Sequence, residues 1–242
     1  MESPLLQKTI LITGGTSALG SAFVRKAVQA GAAVFFTYFQ NESKAQELTS
    51  FGAQGYRLNL ASQGEIDSFQ KEFRSKVKVL HVLIHNAALT RDRTVQNMSE
   101  EEWDEVLDVN LKAPYLLTKK LLSPLFKADP AKIFFIISRT ALHGVFGAAN
   151  YAASKAGLVG LAQSLAQELG RKNILVNCVN PGFMKSRMTE SLRAEILEKK
   201  RKESVLEKIS NPEEVADFLI YLSSDLMTQV SGQVFHYESR KI

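Results

Sequence analysis

Residues 9–38 restrict the fold more than any other stretch of the chain. Thr9 to Thr13 is a short β-branched and apolar run, and Gly14-Gly15-Thr16-Ser17-Ala18-Leu19-Gly20 follows it directly. Ala22 to Ala30 then reads as a helix, Gly31 stops it, and Ala33 to Tyr38 returns as a second strand. Strand, glycine-rich turn, helix and strand in this order form the unit that presents backbone amides at a helix N-terminus to a dinucleotide pyrophosphate. A tight turn with no ligand is the plainer alternative. Neither a Gly-Lys-Ser/Thr phosphate loop nor a serine flanked by nucleophile-elbow glycines is present.

The alternation continues to the end of the chain. Strands are predicted at Gly55 to Leu60, Val79 to Ile84, Ile133 to Ile137, Leu175 to Val179 and Val234 to Tyr237. Between them lie helical segments at Lys44 to Ser50, Ile66 to Phe73, Ser99 towards Leu122, Tyr151 to Leu169, Thr189 to Val205 and from Pro212 onward. Ser99, with Glu102 three places on, has the spacing of a capping box. Strands alternating with helices predict an α/β, doubly wound parallel sheet flanked on both faces. With 242 residues, 45% of them hydrophobic, and no linker or internal repeat, residues 1–242 read as one domain.

Several function classes are disfavoured. No apolar segment approaches the roughly 20 residues that span a bilayer, and Met1 to Lys8 lacks a signal peptide's length and core. Cys178 is the only cysteine, so an intrachain disulfide is impossible; within Ile174 to Val179 it reads as an inert core thiol. A cytoplasmic protein is expected. The net charge of +5 comes without a nucleic-acid module or interleaved aromatics, which argues against nucleic-acid binding. The four histidines and one cysteine lack metal-site spacing. His81 reads as a satisfied core histidine, His85 as either core or cleft, His143 as loop or substrate entrance, and His236 as surface.

The chemistry concentrates between Ser138 and Lys155. Ser138 follows the buried strand Ile133 to Ile137, and Tyr151 and Lys155, four residues apart, share a helical face. A lysine beside a phenol favours the phenolate and is expected to lower the tyrosine pKa towards neutrality. Tyr151 is then a candidate general acid or base for a carbonyl–alcohol conversion, with Ser138 donating to the same oxygen. A packed ring and a solvated ammonium are the bland alternative. Asn110 is a poor helix former in mid-helix, either a satisfied buried amide or the holder of a water beside Lys155. The second strand ends at Tyr38-Phe39-Gln40-Asn41 with no acid to grip a ribose 2′-hydroxyl, which favours NADP(H) over NAD(H).

Taken together, Thr13-Gly14-x-x-x-Ala18-x-Gly20, Asn86-Ala87-Ala88, Asn110, Ser138, Tyr151-x-x-x-Lys155 and Pro181-Gly182 resemble the signatures of the short-chain dehydrogenase/reductase family across nearly the whole chain. Leu89-Thr90-Arg91-Asp92, Glu101-Glu102-Trp103-Asp104 and Pro181-Gly182-Phe183-Met184 followed by Met188-Thr189 resemble its 3-oxoacyl-[acyl-carrier-protein] reductases most. The resemblance implies a single-domain Rossmann fold with a mostly parallel seven-stranded sheet and a catalytic tetrad of Asn110, Ser138, Tyr151 and Lys155. It implies cofactor contacts from Gly14, Ser17, Leu19, Gly20, Tyr38, Asn59, Asn86, Ala87, Pro181, Gly182 and Met184, besides Tyr151 and Lys155. It further implies a role in fatty acid biosynthesis, an acyl carrier protein partner met by Lys127, Lys132, Arg171 and Lys172, a homotetramer, and a substrate lid at about residues 184–210.

The chain departs from the family pattern in places. Ala18 replaces a glycine of the turn, Ser17 stands where NADPH-dependent relatives often carry arginine, and Asn59 replaces an adenine-contacting aspartate. His85 and Ala88 alter the usual Asn-Asn-Ala-Gly. Arg139 follows the serine, to meet a substrate anion or to face outward. Glu207-Lys208-Ile209-Ser210 and Glu238-Ser239-Arg240 replace glycine-bearing motifs. Reduction of a free small ketone, quinone or hydroxyacyl-CoA, and a non-catalytic cofactor-binding scaffold, are the alternative readings.

Overall fold

The computed structural model describes residues 3–185, 189 and 194–239. Seven parallel strands, β1 (Thr9–Ile12), β2 (Ala33–Tyr38), β3 (Gln54–Arg57), β4 (Val82–His85), β5 (Ala131–Ile136), β6 (Ile174–Asn180) and β7 (Val234–His236), lie in the order β3-β2-β1-β4-β5-β6-β7. Helices α1 (Ala18–Gln29), α2 (Glu42–Ser50) and α9 (Pro212–Ser223) follow β1, β2 and the last loop. Helices α3 (Gln63–Lys76), α4 (Glu100–Leu107), α5 (Ala113–Leu125) and α7 (Ala149–Leu169) lie between β3 and β6, with short α6 (Thr140–His143) after β5 and α8 (Ala194–Lys202) after β6.

The sheet buries both faces, which is why its strands lack alternation. One core joins Ile10, Phe36 and Val179 to Phe23 of α1 and Leu219 of α9; the other joins Leu11, Ile133 and Val176 to Phe73, Leu117 and Leu158 of α3, α5 and α7. At about 25 cal/mol per Å² of apolar surface removed from water, these two layers supply the main drive to fold. The predicted doubly wound sheet is the one observed.

Element bounds moved where capping chemistry decided them. α1 begins at Ala18 rather than Ala22 because the Ser17 hydroxyl accepts from the Gly20 amide at 3.1 Å. β4 begins at Val82; just before it, the His81 amide donates to the Thr9 carbonyl at 2.9 Å and its Nδ1 accepts from the Thr9 amide at 3.0 Å. The capping box of Ser99 and Glu102 is present. The predicted helix through Asn110 is interrupted by a π turn at Asp108–Lys112, and Thr189 lies in a turn rather than in a helix. Met188, Arg240 and part of the expected lid lie outside the described residues.

Candidate active site

The chain runs outward from β1 to β2 and β3, then returns to place β4 on β1's other side. Such a reversal opens a crevice at the carboxyl ends of the strands. A cleft of about 640 Å³ lies there. Gly14, at φ +67°, brings its backbone so close to the β4 loop that an added Cβ would stand 2.9 Å from the Ala87 Cα. Asn86 fixes the turn, its Nδ2 donating to the Thr13 and Gly14 carbonyls at 3.0 Å and to the Ser17 hydroxyl at 3.1 Å. Thr13 Oγ1 accepts from the amides of Asn86 and Ala87 at 3.0 and 3.1 Å. Ala18 and Leu19 line the cleft, and their amides, in the first turn of α1, have no intrahelical acceptor.

Gly14, Ser17, Leu19, Tyr38, Asn59, Asn86, Ala87, Pro181, Gly182 and Met184 all line this cleft. Gly20 does not; it packs beneath the turn against the Gly14 carbonyl, with no room for a Cβ. The Asn59 side chain accepts from the Ala61 amide at 3.0 Å and so shapes the β3 loop. Gly182, at φ +76°, lies against Ser210 and the Tyr237 carbonyl. Free amides at a helix start, a turn without side-chain bulk and a long open cleft fit a dinucleotide.

At the far end of the cleft, Ser138, Tyr151 and Lys155 converge. Ser138 Oγ accepts from the Thr140 amide and donates to Thr140 Oγ1, both at 3.2 Å. Lys155 is buried, and its ammonium donates to the Ile136 carbonyl at 2.7 Å while standing 5.7 Å from the Tyr151 ring centroid. Burial pulls Lys155 down to about 8. Burial also pushes the Tyr151 phenol up to about 12; a hydrogen bond with Ser138 opposes this and the charge of Asp92 adds to it. The expected lowering of the Tyr151 pKa is therefore corrected: desolvation of the phenolate wins, and the Lys155 ammonium is held by a backbone carbonyl.

Asn110 lies behind the cleft, fully buried. Its Nδ2 donates to the Leu89 carbonyl at 2.9 Å and to Ser154 Oγ at 3.2 Å, and its Oδ1 accepts from the Leu89 amide at 2.9 Å. Its side chain is thus a satisfied buried amide. Its backbone carbonyl differs, because Pro114, four residues on, has no N–H to supply the α-helical bond.

Other residues fall outside the cleft. His85 is buried, stacked on Phe135 at 4.9 Å with Nε2 2.8 Å from Thr118 Oγ1; burial and the nearby Lys155 charge hold it neutral, down to about 3. Cys178 is buried and its thiol is pushed up to about 12 by burial, as an inert core thiol should be. Lys132 corrects the carrier-docking expectation. It is buried, and its ammonium donates to the Leu222 carbonyl at 3.1 Å and to the Ser224 carbonyl, closing the end of α9. Lys127, Arg171 and Lys172 precede β5 and β6, at the sheet edge opposite the cleft. Glu207, in place of a family glycine, has left-handed φ of +49°.

Two contributors carried no role in the sequence reading. Thr13 shows as a hydroxyl residue ending a buried strand just before the glycine turn. Asp92 lies in the cleft near Tyr151, and only its charge hinted at that.

A family profile described as enoyl-(acyl carrier protein) reductase matches residues 14–239. The 3-oxoacyl-[acyl-carrier-protein] reductase FabG of Aquifex aeolicus is 37% identical over 242 residues, covering 98% of each chain. Nodulation protein G of Rhizobium meliloti is 33% identical over 234 residues, covering 96% of each. The solved structure of the Pseudomonas aeruginosa RhlG/NADP active-site complex superposes with a TM-score of 0.91 at 25% identity, covering 98% of this chain and 97% of that one. The strand order, the glycine turn at the switch point and this similarity over nearly the full length agree: the chain belongs to the short-chain dehydrogenase/reductase family of NAD(P)-dependent oxidoreductases.

Proposed function

We propose that this protein reduces a 3-oxoacyl thioester carried on acyl carrier protein to the 3-hydroxyacyl thioester, using NADPH. The convergence of Ser138, Tyr151 and Lys155 at the end of a dinucleotide-shaped cleft carries the reading. The similarity to a 3-oxoacyl-[acyl-carrier-protein] reductase supports the substrate class, and that to the RhlG/NADP complex supports NADP.

The bound dinucleotide supplies a hydride; the protein supplies position and protons. The amides of Ala18 and Leu19 meet the pyrophosphate, and Pro181, Gly182 and Met184 bound the nicotinamide end. Ser138 donates to the substrate carbonyl oxygen, turning from Thr140. Tyr151 donates its proton to the same oxygen, and a phenol held up at about 12 is fully protonated at neutral pH, as a proton donor must be. Lys155 keeps one N–H on Ile136 and has two more for the ribose hydroxyls. The Asn110 carbonyl, lacking its helical donor, accepts from the water through which Tyr151 is reprotonated. Residues 1–242 act as a single unit, with the segment from Met184 towards residue 210 as substrate lid. Two such chains pair through α4, α5 and α7, where Trp103 and Tyr115 are exposed, in a homotetramer.

A second reading, reduction of a coenzyme A thioester, is favoured by the placement of Lys127, Arg171 and Lys172 away from the cleft. The test follows NADPH and NADH oxidation with acetoacetyl-acyl-carrier-protein beside acetoacetyl-CoA. Turnover that prefers NADPH and the carrier thioester, and falls roughly 10²–10⁴-fold in Tyr151→Phe, is expected. Equal turnover with the CoA thioester would select the second reading, and no turnover by a folded, NADPH-binding protein would sink both.

A further inference from the structure

A cation that the β2 loop itself does not supply stands beside the cleft wall formed by Tyr38 and Phe39. β3 pairs with β2 so that Arg57 stands beside Tyr38, and paired residues of parallel strands present their side chains on the same face. Tyr38 and Phe39 both line the cleft. The Arg57 guanidinium lies over the Phe39 ring, 5.5 Å from its centroid, and the Tyr38 phenol, pushed up by burial and by its bond to Glu42, feels the opposing charge of Arg57. Other cations nearby are engaged: Arg25 pairs with Glu47 and Glu213, and Lys44 with Glu47. Among the described residues, no carboxylate forms an ion pair with Arg57. It is exposed, with its fork free.

We infer that Arg57 is the residue that selects a 2′-phosphorylated dinucleotide, reaching across from the edge strand to the ribose phosphate. The inference rests on the NADPH reading of the same cleft. It explains how a chain with Ser17 in the glycine turn can hold a dianion: the guanidinium comes from the neighbouring strand, and its planar fork suits two phosphate oxygens. Phe39 holds the guanidinium plane by a cation–π contact. The Glu42 carboxylate accepts from the Tyr38 hydroxyl at 3.0 and 3.1 Å and is engaged there. Asn41, whose Oδ1 accepts from the Lys44 amide at 3.1 Å, keeps its NH₂ free to donate to the same group.

The probes are adenosine 2′,5′-bisphosphate and adenosine 5′-monophosphate, which differ only in the 2′-phosphate. Calorimetric titration of the full chain and of Arg57→Met, with thermal melts to verify folding, requires neither turnover nor nicotinamide. Arg57→Met is expected to weaken the bisphosphate roughly 10- to 100-fold and leave the monophosphate unchanged, the size of a lost charge-assisted contact. Arg57→Lys, keeping charge but losing the fork, falls between. A wild-type protein binding both probes equally would remove the NADPH reading and this inference with it. Wild-type preference for the bisphosphate that persists in Arg57→Met would overturn the Arg57 assignment alone.

Discussion

Lys132→Met tests the reassignment of a surface-seeming lysine to the core. The side chain is buried, and burial pulls its ammonium from 10.5 down to about 8 despite two carbonyl acceptors at the end of α9. Below about pH 8 the folded and unfolded chains both hold the proton, and the cost of burying the charge is fully present. Above that, the folded chain releases it while the unfolded chain keeps it to its ordinary value, so unfolding takes up a proton and stability rises with pH. At 1.36 kcal/mol per pKa unit, the span from 10.5 to about 8 corresponds to about 3 kcal/mol. Methionine keeps the stem's volume and removes the titration. The stability of Lys132→Met relative to wild type is therefore expected to fall by about 3 kcal/mol between about pH 7.5 and pH 10.5. Urea unfolding of both proteins across that range measures it, and every other titrating group cancels in the difference. A difference that stays constant with pH would show that the ammonium is solvated, and the buried geometry would be wrong.

Two further outcomes follow from the site. Gly182→Ala puts a Cβ at positive φ, against Ser210 and 2.9 Å from the Tyr237 carbonyl. Left-handed strain of about 1–2 kcal/mol and overpacking of about 1–3 kcal/mol predict a loss of roughly 2–5 kcal/mol in a urea melt, and a change under about 0.5 kcal/mol would refute the crowding. Lys155, held at about 8 by burial, loses its charge as pH rises through that value. NADPH affinity of the wild type is expected to decline across that window and that of Lys155→Arg to stay flat, and parallel profiles would exclude the ammonium as the ribose contact.

The fold was legible because each apolar run had a helix-forming neighbour and a capping or glycine signal between them. Ser17, Ser99 and Asn41 each cap the helix that follows, so local chemistry and tertiary arrangement agree there. The neighbourhood of Tyr151 and Lys155 was legible through spacing, since the two occupy one helical face. What the sequence hid were long-range acceptors. Nothing near Lys132 in the chain announces that Leu222 and Ser224, about ninety residues on, end a helix beneath it. Arg57 was hidden for the same reason: β3 follows α2, and only strand pairing brings it level with Tyr38. Asn110 misled in another way. Its side chain was the obvious feature, but it is the proline four residues later that removes the α-helical donor to its carbonyl.

The order of proton affinities at the site also bears on which form of each group meets the substrate. The Lys155 ammonium gives up its proton at about 8 and the Tyr151 phenol only at about 12, so the lysine is neutralised before the tyrosine ionises. A base for alcohol oxidation needs the phenolate, which burial and Asp92 both oppose here. An acid for ketone reduction starts from the neutral phenol, the form that burial and the Asp92 charge both favour here. Donating that proton leaves the same phenolate, so the relay that returns a proton to Tyr151 is as necessary for reduction as the phenolate is for oxidation.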